Sequence, residues 1–135
     1  MRNKLVILLL SLTALAISSW AQEPEREPGN VVFDNPKVDL DTCYFRSDTV
    51  FTQKYHFKNV GESPVSIVRI HTGCPCVEVD LPDAPVKPDE EADVIVRFKP
   101  TRPGNFRHII SLGTDGDPRV RHVMLHVVLL NPNKR

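Results

Sequence analysis

Two thiols one residue apart, Cys74 and Cys76 with Pro75 between them, are the residues of this 135-residue chain best placed to do chemistry. In an extended backbone the side chains at i and i+2 point to one side, and Pro75 biases Cys74 away from the helical region. Such a pair supports three arrangements: a bond within the pair, a bond to the third cysteine, Cys43, or a two-thiolate clamp for a soft metal. A bond within the pair needs a sharp bend, because extended i and i+2 positions lie about 6.6 Å apart, near the upper limit for a disulfide. A bond from Cys43 to either cysteine is less strained, provided the first strand region lies beside the end of the strand before Cys74. Pro75 fixes its own φ and so favours a structural pair over one that must rearrange. With three cysteines, at least one is free, metal-bound or paired with another molecule.

For a metal site, His71 stands three residues before Cys74 and adds an imidazole to the two thiolates. His71, Cys74 and Cys76 make a soft set suited to Cu(I) or Zn(II), but no second Cys/His cluster supplies a fourth ligand. Thiol exchange has less behind it, since low-pKa thiols usually sit at helix N-termini in C-x-x-C motifs. Here the segment reads as a strand, with Arg69 the nearest cation in sequence. Among the other histidines, His56 alternates onto the polar face of its strand. His122 and His126 share a face but lie about 13 Å apart at the rise of a strand, too far for one ion. With His108, they read as surface or partly buried groups paired locally. Asp80, Asp83, Asp89, Glu90, Glu91 and Asp93 form an acidic stretch without a spaced calcium loop, and so a solvated face. Gly-x-Ser-x-Gly, His-Glu-x-x-His and phosphate-cradling glycine loops are all missing from the sequence, which argues against an enzyme.

The elements that must position these groups are short strands. Residues 50–58 alternate, with Phe51, Tyr55 and Phe57 on one face and Lys54, His56 and Lys58 on the other. Ala92, Val94, Val96 and Phe98 alternate in the same way. The cluster GTDGDP at residues 113–118 is a tight hairpin signal before the longest run, residues 119–130, which reads as an exposed edge. No window of helical length carries a 3.6-residue apolar period. About seven short strands at this spacing predict an all-β chain, a single antiparallel sandwich over residues 31–131 with a tail at 132–135. Phe33, Phe51, Tyr55, Phe57, Ile67, Ile70, Val94, Val96, Phe98, Phe106, Ile110, Leu125 and Val127 are its expected core. At about 1.5–3 kcal/mol per buried large side chain, that set holds the fold without help from the cysteines.

The first residues point to export. Arg2 and Lys4 precede an apolar stretch, residues 5–17, and Ser19-Trp20-Ala21 places small residues where a signal peptidase reads. Residues 1–21 are therefore expected to be cleaved after Ala21, with 22–30 a mobile leader and the mature chain periplasmic or secreted. The apolar stretch falls short of the roughly 20 residues a span needs, so no membrane span is expected in the mature chain. Seventeen basic and seventeen acidic residues leave no basic stripe for nucleic acid.

Tyr55-His56-Phe57-Lys58-Asn59-Val60-Gly61 followed by Pro64-Val65-Ser66-Ile67 resembles the F-x-F-x-N-x-G-x-x-P-L-x-I signature of domain of unknown function 1573. Cys74-Pro75-Cys76 falls where that family carries Cys-Gly-Cys, and Pro88-Asp89-Glu90 where it carries P-G-E. Residues 94–98 and 102–106 match its I-x-V-x-F and G-x-F segments, so the similarity runs over roughly residues 30–129. The resemblance implies an exported bacterial domain related to the immunoglobulin-like modules of the Hydin type and of pilus chaperones. It implies no activity. Two departures stand out, Pro75 and Asp89 in place of glycine. The combined expectation is an exported, non-catalytic immunoglobulin-like module that binds another envelope or secreted protein and carries no cofactor. The alternative is a periplasmic Cu, Zn or thiol-redox protein built on Cys74-Pro75-Cys76.

Overall fold

Period-two alternation becomes a two-sheet sandwich because each strand must bury one face and wet the other. The computed structural model of the chain describes residues 30–134; the expected signal peptide and residues 22–29 of the leader lie outside the described residues. Nine strands follow in order: β1 (Val31–Phe33), β2 (Lys37–Asp39), β3 (Cys43–Tyr44), β4 (Phe51–Asn59), β5 (Ile67–His71), β6 (Val77–Asp80), β7 (Glu91–Phe98), β8 (Gly104–Thr114) and β9 (Val120–Leu130). One sheet runs β1-β4-β7-β6, and the other β2-β9-β8-β5 with β3 also on β9. The count exceeds the expected seven because the first region is broken into three short pieces. Pro36 has no N–H to continue a ladder, and there the chain leaves β1 in one sheet for β2 in the other. The Pro36 carbonyl accepts the Met124 N–H at 2.7 Å.

The sandwich is antiparallel except for β2 and β3, which both run parallel to β9. That pairing corrects the expectation that residues 119–130 form an edge. β9 lies between β8 on one side and β2 and β3 on the other, and its Val123, Leu125, Val127 and Leu129 are buried. One edge of this sheet is made by the short β2 and β3, and the other by β5. A register shift between Ile67 and Arg69 marks a bulge in it. Ile70, expected in the core, stays 41% exposed because no strand covers that rim. In its place the core takes Val31, Val65, Val77, Val86, Leu112, Val123 and Leu129.

Asn59 closes one end of β4 and is fully buried. Its Nδ2 donates to the carbonyls of Ser63 (2.8 Å) and Val86 (2.9 Å), and its Oδ1 accepts the Gly61 N–H at 2.9 Å. Its own carbonyl accepts the N–H of Asp89, which holds a left-handed φ of 64°. Glycine adopts that region without the Cβ penalty that Asp89 bears. Asp89→Gly is therefore expected to raise stability by about 0.5–1 kcal/mol, net of glycine's greater freedom in the unfolded chain, seen as a higher denaturant midpoint at unchanged slope.

On the outer face of β4, His56 Nδ1 lies 2.7 Å from Asp93 Oδ1 and Nε2 lies 3.4 Å from Glu91. The hydrogen bond to Asp93, with help from Glu91, raises the pKa of His56 above 6.5. A raised folded-state pKa contributes stability that is complete below the unfolded value and lost as pH rises through the folded one. Unfolding measurements should therefore show His56→Gln differing from the parent on the acid side of that window, the difference vanishing above it. A His56 titration by NMR at or below 6.5 contradicts this.

A candidate thiol and imidazole centre

Proline at the second position of a β-turn presets the bend that brings the first and third residues together. Cys74-Pro75-Cys76-Val77 forms such a turn after β5, closed by the Val77 N–H donating to the Cys74 carbonyl at 3.2 Å. Gly73, at φ 67°, feeds the chain into it through the left-handed region, and the Thr72 hydroxyl donates to the same Cys74 carbonyl at 3.0 Å. The Cα atoms of Cys74 and Cys76 stand 5.2 Å apart, and the two residues are joined as a disulfide. The sequence reading placed the pair in an extended backbone, where this bond needs a sharp bend; the turn begun at Pro75 supplies that bend.

Cys43, the partner expected from the less strained geometry, is a free thiol, partly buried on β3 beside Leu129 of β9. His71, the expected imidazole ligand, is exposed at the end of β5, opposite Ser111 on the outer face of the sheet. The Thr72-Gly73 bend separates it from the two sulfurs, which face inward against the core.

The histidine brought to the sulfurs is His108 of β8. It lies in the inward series Phe106, His108, Ile110 and Leu112, and its ring packs 4.3 Å from the ring of Phe98 and 6.1 Å from that of Phe106. One ligand atom each from Cys74, Cys76 and His108 falls within 4.8 Å of the others. The Nε2 of His108 is buried without a hydrogen-bond partner, and burial lowers the pKa of the ring. The sequence signal for His108 was available: it is the polar member of an alternating apolar series. Proximity in sequence pointed to His71 instead.

The centre has two sides. Inward lie Phe51, Phe98 and Phe106, with Phe51 and Phe98 stacked at 6.2 Å and Phe98 and Phe106 tilted against each other at 5.1 Å. Outward, Pro75 and Cys76 border a cleft of about 590 Å³ with Val50, Glu78, Arg97, Lys99 and Thr101. Arg97 is engaged by a two-pronged pair with Asp80 and a 3.6 Å contact to Glu78. The hydrogen bond to Arg97 lowers the pKa of Asp80. The Lys99 N–H donates to the Cys76 carbonyl at 3.1 Å, and the Cys76 N–H lies 3.2 Å from the Cys74 sulfur, so the turn is tied to β7 and its own amide faces a sulfur.

The remaining polar groups stand apart from this centre. His126 sits between Asp39 and Asn105, each at 2.7 Å, and His122 lies 3.0 Å from the Ser111 hydroxyl. At the hairpin end, Asp117 is buried between Arg119 (2.9 Å) and Arg121 (3.0 Å), and its hydrogen bonds to Arg119 pull its pKa well below the carboxylate range.

Comparison with known proteins agrees with this architecture. The family described as "Protein of unknown function (DUF1573)" matches residues 31–128. No curated protein matches the chain. Among solved structures, a protein of unknown function from Porphyromonas gingivalis W83 is similar at a TM-score of 0.60 and 16% identity, over 73% of this chain and 46% of that one. The chain therefore spans about half the length of that relative. The PapD-like domain 7 of human CEP192 is similar at a TM-score of 0.60 and 10% identity, over 88% of this chain and 99% of that domain. The VesB protease of Vibrio cholerae is similar at 0.55 and 9% identity, over 73% of this chain and 32% of that protein. At these identities the likeness is one of fold, an immunoglobulin-like sandwich of the PapD type.

Proposed function

We propose that this chain, which belongs to the DUF1573 family, is an exported, non-catalytic immunoglobulin-like module that binds another envelope or secreted protein by accepting an extended segment along β5. The observation that carries this reading is the state of that edge. β5 ends its sheet, with Val68 57% exposed and Ile70 41% exposed, and Ile109 of the neighbouring β8 is 52% exposed. A free edge offers a row of backbone donors and acceptors, and apolar side chains beside it give an incoming strand something to pack on. The other edges are less suited. β6 carries Glu78 and Asp80 against Arg97, while β1 has three residues and β2 and β3 have three and two. Charge and shortness are the means by which proteins close an edge to pairing. Export is supported by the basic, apolar and small-residue order of residues 1–21.

Photo-cross-linkers placed at Val68 and at Glu78 in the producing cells test this. The expected result is one recurrent protein adduct at position 68, lost when Ile70→Lys is added, with the amides of β5 slowed in hydrogen exchange once the purified partner is present. Adducts at position 78 alone, or unchanged exchange along β5, overturn the reading.

A further inference from the structure

The centre at Cys74, Cys76 and His108 is not used by edge pairing, and its chemistry points elsewhere. A buried imidazole nitrogen without a partner is costly, and such groups in folded proteins call for a missing partner. His108 Nε2 is that group, on a ring set beside two sulfur atoms under Phe98 and Phe106. The three donors come from two segments over thirty residues apart, so their convergence is a product of the fold and not of local sequence.

We infer that Cys74, Cys76 and His108, once the disulfide is reduced, form a three-coordinate site for a soft monovalent cation, Cu(I). Ligand type and number both favour this ion. Two thiolates and an imidazole suit Cu(I), which is stable with three donors, whereas structural Zn(II) takes four. Among the described residues, the group that converges here has three members. Metal–sulfur and metal–nitrogen bonds of about 2.3 and 2.0 Å put trigonal donors roughly 3.7–4.0 Å from one another. The donors already lie within 4.8 Å, so rotation of the side chains completes the set. The turn holds the cysteine Cα atoms 5.2 Å apart, with the Cys76 N–H 3.2 Å from the Cys74 sulfur. The aromatic floor keeps water from the inner side, while the cleft at Cys76 leaves a route from solvent.

The conversion balances with a small-molecule thiol as reductant. Two reductant thiols supply two electrons and two protons, breaking the Cys74–Cys76 bond and leaving as their own disulfide. Cu(I) then replaces the two thiol protons, which pass to solvent, and copper remains Cu(I) throughout. The bound unit carries two thiolates, one cation and a neutral imidazole.

The test uses protein recovered from the producing cells, reduced with a phosphine under anaerobic conditions, and Cu(I) delivered from a chromophoric chelator. The expected result is one Cu(I) per chain, with X-ray absorption showing two sulfurs and one nitrogen around copper. Cys74→Ser and Cys76→Ser should abolish this binding, His108→Leu should weaken it about tenfold or more, and His71→Ala and Cys43→Ser should leave it unchanged. His108→Met, which returns a soft donor, should recover part of the loss, and circular dichroism confirms that each variant is folded. Binding that is equal in His108→Leu, that follows His71 instead, that occurs in the oxidised protein, or that fails in the folded reduced parent overturns the inference.

Discussion

Asn59→Ala is expected to lower the stability of the domain by about 3–5 kcal/mol, enough to unfold a marginal sandwich. The side chain is fully buried and makes three hydrogen bonds, to the Ser63 and Val86 carbonyls and from the Gly61 N–H. Alanine takes the side-chain partner from the Ser63 carbonyl and the Gly61 N–H, at about 1–3 kcal/mol for each that water cannot reach, while the Val86 carbonyl keeps only the Val65 N–H. Asn59→Asp should fare little better, since a carboxylate accepts from Gly61 but cannot donate to two carbonyls. A denaturant midpoint within error of the parent would show that these loops are held by other contacts.

The second large effect is expected at Phe98. Its ring is buried at the centre of an aromatic group, 6.2 Å from Phe51, 5.1 Å from Phe106 and 4.3 Å from His108. Phe98→Ala removes the floor beneath the thiol centre and should cost about 3–5 kcal/mol, the range for emptying a phenylalanine site in a packed core. Phe98→Leu keeps most of the volume and should remain folded. It also admits water to His108, whose pKa is lowered by burial. NMR titration of Phe98→Leu should therefore show His108 moving up towards 6.5. An unmoved His108 in the folded Leu variant would mean that some other wall keeps the ring dry.

The disulfide is expected to matter much less to stability. It joins residues two apart, and a loop that short removes little entropy from the unfolded chain. The fifteen buried apolar residues carry the fold, as the alternating runs of β4 and β7 suggest from sequence alone.

Face and class were legible in the sequence. A period of two assigns each residue of a strand to the core or to water without reference to other strands, so Tyr55, Phe57, Val94, Val96, Phe98, Leu125 and Val127 could be placed inside directly. Partners across space were not legible. An alternating run looks the same at a sheet's edge as at its centre, and β9 was drawn to the centre by β2 and β3, short segments whose pairing partner local periodicity does not reveal. The bend at Pro75 depends on whether that residue begins a turn or interrupts a strand, which the hydrogen bond from Val77 to Cys74 decides. The choice between His71 and His108 was likewise tertiary. Strand geometry turns His71 to the outer face three residues from the thiols, while the pairing of the sheets carries His108 to them from another strand. The sequence alone determined an all-β class and a pair of thiols one residue apart. Only the packing of one sheet on the other decided which strand is free and which imidazole meets the sulfurs, because those are distances between segments that local periodicity does not encode.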